Sequence, residues 1–549
     1  MKKQLLSAPL AALVIAGMVT WQIGCGAAAP WRPNGAHSDA PELTAKSESN
    51  PAPAPLRSQP EASGPTKTEP AAQAMPVEMP RNNRDSAAAP QADKLMTEGV
   101  TYIRTNKYPE AVNAFQEILK IVKDDNPLMP VAYYNLACTY ALMTQSKPAL
   151  EYLGKAIKAG YDNRETIEAD PDLVSLHEMP EYKAALDLIP PIVAIKSTAQ
   201  DDADQKEALK LIEDIRGLKC KTEPQYKIMA PDQFERAYGG GRANDSIQGF
   251  YRWADKTLYI KQGLDPVRFK GTRIHETFHA LQDQLFGMGQ MQESVKTTDG
   301  NYALLALIEG DATLTFIECM PESMAKVMIA SATPWRMMGG EPKYDQSQRG
   351  EANMRQGAYG YSIAARFVKA VKDAKGWEAV NAMYTNIPKS TEQVLHPEKY
   401  LANEQPVEVS VPDVPALLGA GWTASRPDTV GEFGLLLGLL SNPKSGPLAE
   451  EATMGWAGDK FVVIGNKDAN QGFAVSKSAW DTARDAREFF DAMTLAMEET
   501  GQVRKDGNTA TAINGKGEID YLGLNGVNVV LVNNLPPEFK DKVIETLSK

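Results

Sequence analysis

A chain of 549 residues is too long for one hydrophobic core, which stops growing at roughly 250 to 300 residues, so several domains are expected. Its 43% hydrophobic and 23% charged residues are the balance of a globular protein with a disordered portion. A net charge of −12, with no long basic run, excludes a general nucleic-acid binder.

The chain starts MKKQLLSAPLAALVIAGMVTWQIGCG, where Lys2 and Lys3 precede an apolar stretch, and residues 1–25 read as an export signal. Ile23-Gly24-Cys25 resembles the end of a bacterial lipobox with Cys25 as the lipidated residue, although Gln22 stands where that pattern prefers an aliphatic side chain. Cleavage after Ala27–Ala29 by ordinary signal peptidase, giving a secreted protein, and an uncleaved anchor are the other two readings. A cysteine directly after such a stretch has few structural uses, which favours a lipid anchor facing the periplasm or the cell surface.

Residues 26–91 are rich in Ala, Pro, Ser and Glu, as in PAPAPLRSQPEASGPTKTEP, and cannot bury enough apolar surface to offset their ordering entropy. A flexible tether is expected there. From residue 92 the pattern turns helical and repeats. Tyr102, Ala111 and Phe115 recur 38 residues later as Tyr140, Ala149 and Leu153. The period resembles the tetratricopeptide repeat of about 34 residues, lengthened by DDNPLMP, and DPDLVSLHEMPEYKAAL reads as its capping helix. A helical module over 92–190 is expected, with a protein partner as its natural ligand. His177-Glu178 has no second histidine and reads as a surface pair.

A polar break at STAQDDADQ, 197–205, precedes a helix near 206–217, and GFYRWADKTLYIKQG at 249–263 reads as a hairpin or edge strand. Next comes RIHETFHALQDQLFGM. Its H-E-x-x-H spacing places His275 and His279 four residues apart, on one face of a helix, where both imidazoles can reach one metal ion. Counting about 100° per residue from His275, His279 falls at about 40°, Asp283 at about 80° and Glu276 at about 100°. Ile274, Phe278, Leu281 and Leu285 gather on the other flank as a core stripe. Glu276 is then placed as general base, and Asp283 as a carboxylate that orients a ligating imidazole.

A catalytic zinc takes three protein ligands and keeps one position open. Residues 302–317, NYALLALIEGDATLTFIE without its ends, are apolar nearly all round, so Glu309 is a carboxylate in a buried helix, where ligation would relieve its desolvation. Gly310 in mid-helix suits the close approach of a second helix. Further on, His396 and Tyr400 in STEQVLHPEKY are candidate donors to a developing oxyanion, with a structural turn as the competing reading.

The segments HETFHALQDQ, ALLALIEGDA and PKSTEQVLHPEKY together resemble the motifs of bacterial zinc-metallopeptidase-like proteins of the gluzincin type. The resemblance covers 205–405, and GWAGDKFVVI with WDTARDAREF extends it towards 490. It implies one Zn2+ held by His275, His279 and Glu309, with Glu276 as base, in an exported protein of the bacterial envelope that hydrolyses peptide bonds. Where the gluzincin pattern has an aspartate four residues after the ligand glutamate this chain has Thr313; its nearby acid is Asp311.

Beyond 405, apolar strands such as FVVI at 461–464 and VNVVLV at 527–532 alternate with an amphipathic helix over 481–499, which suggests a small α+β domain over 406–549. Trp456 and Trp480 read as core. Of the cysteines, Cys138 lies in an apolar helical pattern, a Cys220–Cys319 bridge stays open, and none has metal-binding spacing. The expected fold is therefore multidomain and mainly α with α+β: a tetratricopeptide-like module, a zincin-like α+β domain, and a C-terminal α+β domain. An envelope scaffold that binds zinc without turnover, and a hydrolase of a non-peptide amide, are the competing functions.

Overall fold

In a computed structural model the described residues run from 89 to 548, except 105–106, 124–125, 127, 162–163, 239–246, 323–358, 467–470 and 500. The export signal with Cys25 and nearly all of the tether lie outside them. No helix among the described residues is long and apolar enough to cross a membrane.

Four helices open this part of the chain: α1 (Ala89–Arg104), α2 (Tyr108–Ile121), α3 (Leu128–Leu142) and α4 (Ser146–Lys158). Each packs on the next, with Tyr102, Ala111 and Phe115 in one apolar cluster, Ala149 and Leu153 in a second, and Tyr140 against both. Ala111, Phe115, Ala149 and Leu153 are fully buried, and Tyr140 stacks on Tyr152 with ring centroids 5.6 Å apart. A Cβ on Gly99 would fall 2.5 Å from the Phe115 ring, so the first pair closes only around a glycine. Instead of one capping helix there follow α5 (Arg164–Ala169), a 3-10 turn over Pro171–Leu176, and α6 (Pro180–Leu186). Pro171 and Pro180 each start a new element because a proline nitrogen has no hydrogen to continue a preceding helix.

Residues 197–205 are not a break. Thr198 and Asp201 form a reciprocal capping box, so helix α7 starts at Ala199, runs to Arg216, and stops at Gly217 with φ +65°. Its polar first turns are exposed surface rather than linker. A three-stranded sheet follows, made of β1 (Gln225–Met229), β2 (Gly249–Arg252) and β3 (Thr257–Lys261), with α8 (Pro231–Tyr238) between the first two. The predicted hairpin is β2–β3, with Phe250 opposite Tyr259, and β1 joins β3 in parallel. The order β1-β3-β2 leaves β2 at an edge.

Helix α9 (Pro266–Phe286) begins where Asp265 accepts the backbone N–H groups of Val267 and Arg268, and ends at Gly287 in the left-handed region. Its stripe of Ile274, Phe278 and Leu281 is buried against Ala208 and Ile212 of α7. After α10 (Met288–Ser294) comes α11 (Thr298–Glu318), buried along most of its length between α9 and α12 (Ala364–Ala382). A π turn over Tyr359–Ile363 leads into α12, whose direction breaks at Gly376 with φ +79°. Two short helices, α13 (Thr391–Leu395) and α14 (Pro397–Leu401), then return to the start of α11.

The C-terminal part is a seven-stranded antiparallel sheet of β4 (Trp422–Ala424), β5 (Trp456–Asn466), β6 (Gln471–Trp480), β7 (Arg504–Asp506), β8 (Thr509–Ile513), β9 (Ile519–Asn525) and β10 (Asn528–Leu535), in the order β4-β5-β6-β10-β9-β8-β7. Five helices accompany it: α15 (Pro415–Leu418), α16 (Gly431–Leu440), α17 (Ala449–Thr453), α18 (Ala483–Met497) and α19 (Lys540–Leu547). Helices α16 and α18 share one apolar core with α11 and α12, so burial is continuous across residue 405. Trp456 and Trp480 lie in that core, at 0% and 2% exposure. The molecule is thus a mixed α and β structure in which α11 is the common axis.

Candidate metal centre

Helix α9 presents His275 and His279 on successive turns, and α11 brings Glu309 across from them. His275 Nε2 lies 3.1 Å from His279 Nε2 and 3.2 Å from Glu309 Oε2, and His279 Nε2 lies 3.6 Å from that oxygen. A tetrahedral ion with bonds of about 2.0–2.1 Å holds its ligand atoms about 3.3 Å apart, so the three atoms have the spacing of zinc ligands. Two imidazole nitrogens and a carboxylate oxygen are also the donor types that zinc takes. Glu309 and His279 are each 2% exposed, a depth at which an uncompensated carboxylate costs several kcal/mol, on the order of the desolvation penalty for a single ion. Burial acts to raise the Glu309 carboxyl, but the two imidazoles hold it well below the usual carboxylate range.

Two other groups of metal-type side chains occur among the described residues. Cys138, Asp170 and Asp172 form one, but Asp170 accepts the Tyr134 hydroxyl at 2.8 Å and caps the turn that follows. Glu392, Glu404 and Asp481 form the other, and Lys399 Nζ stands among them at 2.6, 2.9 and 2.8 Å. An ammonium fills that centre already.

Glu276, one residue after His275, is 6% exposed, and its Oε2 has no hydrogen-bond partner. Burial pushes its carboxyl up to about 8, with the nearby Glu309 adding to the rise and His279 opposing it. Strand β2 passes directly over this side chain: a Cβ on Gly249 would fall 2.9 Å from Glu276 Cγ and 2.4 Å from Thr272 Cγ2. The edge strand and the base are therefore adjacent only because residue 249 is glycine.

The remaining predicted residues separate from this group. Asp283 does not orient an imidazole; its Oδ2 accepts the Tyr251 hydroxyl and the Lys256 ammonium, each at 2.7 Å, and so ties α9 to the hairpin. The partner of His279 is Gln282, whose Oε1 is 2.7 Å from His279 Nδ1. Asp311 stands behind it, joined through Tyr384. His396 and Tyr400 are not oxyanion donors here. His396 Nε2 meets Glu432 Oε1 at 3.0 Å, and Tyr400 donates to the Asn386 carbonyl at 2.8 Å. Glu432 neighbours Phe433, whose N–H reaches Thr391, the residue bound to Asp299. Asp299 is ten residues before Glu309, or about 15 Å along the helix.

Sequence reasoning missed two residues. Gln282 is three residues after His279, and that spacing on one helix face was the available signal. Tyr361, in the π turn, has its ring centroid 6.1 Å from that of His275 and is 45% exposed. No local pattern marks it, because it reaches the centre from α12's approach.

Comparison with known proteins assigns no activity to this arrangement. Residues 420–543 match a family described as a domain of unknown function, DUF8575. Over 96 residues, 18% of this chain, there is 33% identity to a chloroplastic protein of Arabidopsis thaliana, and the match spans 28% of that protein's length. No solved structure matches the chain.

Proposed function

We propose that the chain is a zinc-dependent metallopeptidase of the gluzincin type, exported to the bacterial envelope and held there through Cys25. One observation carries the reading: His275, His279 and Glu309 converge at zinc-ligand spacing beside a buried, half-unpartnered Glu276. Zinc would be held by His275, His279 and Glu309 and, when bound, would supply Lewis acidity near neutral pH. Glu276 is the general base, holding the proton of the attacking water on its unpartnered oxygen and returning it to the leaving amine. Tyr361 donates a hydrogen bond to the oxygen on which charge develops. The substrate lies along β2 as an added strand, since β2 pairs only with β3 among the described residues. The tetratricopeptide-like helices α1–α4 recruit a protein partner.

The test is metal analysis of the purified chain together with digestion of a mixed peptide library. Wild type is expected to hold one zinc ion per chain and to cleave. His275→Ala is expected to lose both properties, and Glu276→Gln to keep zinc while losing cleavage. A chain without zinc excludes the reading altogether, and zinc without cleavage reduces it to a scaffold.

A further inference from the structure

The Gln282 amide is fixed in one orientation by its surroundings. One end lies 2.9 Å from the Ile308 carbonyl oxygen, which can only accept, so that end is the NH2 group. The other end, Oε1, is the one facing His279 Nδ1. Nδ1 must then carry the hydrogen, and the lone pair of His279 is directed through Nε2 towards His275 and Glu309. Reversing the amide would set oxygen against oxygen at Ile308 in a site where Gln282 is 0% exposed, and the loss of that buried hydrogen bond opposes it.

The constraint continues outward. Gln282 Nε2 also donates to the Tyr384 oxygen at 2.5 Å, which leaves the Tyr384 hydrogen for Asp311 Oδ2 at 2.8 Å. Asp311 Oδ1 receives Arg216 at 2.6 Å, and Arg216 in turn donates to Thr315 and to Asn381. Arg216 and Asp311 are both fully buried side chains, and the guanidinium sits over the Trp377 ring at 4.2 Å. Every link of this network is fixed in direction, from the arginine to the imidazole's far side. Four helices, α7, α9, α11 and α12, contribute to it, and Tyr384 follows the end of α12.

We infer that Arg216, Asp311, Tyr384 and Gln282 are positioning residues that fix the tautomer and the aim of His279, and thereby set the metal affinity of the centre. The inference rests on the zinc reading above. Asp311 acts on the metal only through Tyr384 and Gln282. Partners of this kind change metal affinity by about 10- to 100-fold when they are removed.

Tyr384→Phe is the informative variant. It deletes one hydroxyl while the ring keeps its stacking on Phe286, 3.9 Å away and 6° from parallel. Substituting Arg216 or Asp311 would strand a buried charge instead. The readouts are the zinc dissociation constant by chelator competition and the visible spectrum of the Co2+-loaded full-length protein, with circular dichroism as the check on folding. Tyr384→Phe is expected to weaken zinc binding about tenfold and to alter the cobalt bands, Gln282→Met to do so more strongly, and Asp283→Asn to change neither. Wild-type affinity and spectrum in folded Tyr384→Phe and Gln282→Met overturn the positioning network and leave the zinc reading standing. A wild-type chain that binds neither metal overturns both, whereas one that binds zinc but cleaves nothing removes only the peptidase assignment.

Discussion

Tyr361 is the residue on which the chemistry of the centre can be separated from its assembly. Its ring centroid lies 6.1 Å from that of His275 and it belongs to neither ligand helix, so under the proposed function its removal should affect turnover rather than metal retention. Tyr361→Phe is expected to lower kcat by about 100-fold, the effect of losing one oxyanion donor, with zinc content and KM close to wild type. Unchanged kcat in a peptide-cleavage assay would assign the oxyanion elsewhere. Four residues of this centre were legible in sequence for definite reasons. His275, Glu276 and His279 lie within five residues of one helix, and Glu309 is an acid where nearly every neighbour is apolar. Gln282 and Tyr361 were not, since an amide or a phenol has no meaning until the fold states what it touches. The same limit explains Asp283, His396 and Tyr400, each of which has the right chemistry and a different partner.

Among the elements, α9 and β1 were readable to different degrees. The stripe of Ile274, Phe278 and Leu281 made α9 readable in sequence, whereas β1 has five residues and is defined by its parallel pairing with β3 and a bridge to Ile195. The close approach expected at Gly310 is present and is strict. A Cβ there would fall 2.4 Å from the Ala364 carbonyl oxygen, a backbone atom that no rotamer change can move. Gly310→Ala must therefore separate α11 from α12, next to Glu309. The expected result is a loss of about 1–3 kcal/mol in urea unfolding, as for other overpacked cores, together with weaker zinc binding. Wild-type values for both would show that the two helices can part without cost.

At the scale of the whole molecule, the junction between α11 and the C-terminal sheet is built from buried acids that sequence patterning did not reveal, because they lie on separate segments. Asp299 accepts the N–H and hydroxyl of Thr391, Asp459 accepts the N–H groups of Val430 and Gly431, and Glu432 meets His396. Burial pushes Asp299 up to about 8, Glu392 up to about 7 and Asp459 up to about 6, and also raises Glu432. His396 is raised too: burial opposes its charge, but Glu432 more than compensates. In the unfolded chain the carboxyls titrate near their usual value of about 4, so between roughly pH 4 and 8 the folded protein binds protons that the unfolded chain has released. Stability must then fall as pH rises through this window and level off above it. Metal binding has the opposite dependence, since its ligands must lose protons, so the measurement requires a chelator. In its presence the melting temperature is expected to drop by several degrees from pH 5 to pH 8.5. Asp299→Asn keeps an oxygen for Thr391 but cannot ionise, so its decline is expected to be much shallower. A melting temperature that rises over this range, or a slope in Asp299→Asn equal to that of wild type, would mean that the junction does not hold its proton. The acids then could not couple the C-terminal sheet to α11, the helix that carries Glu309.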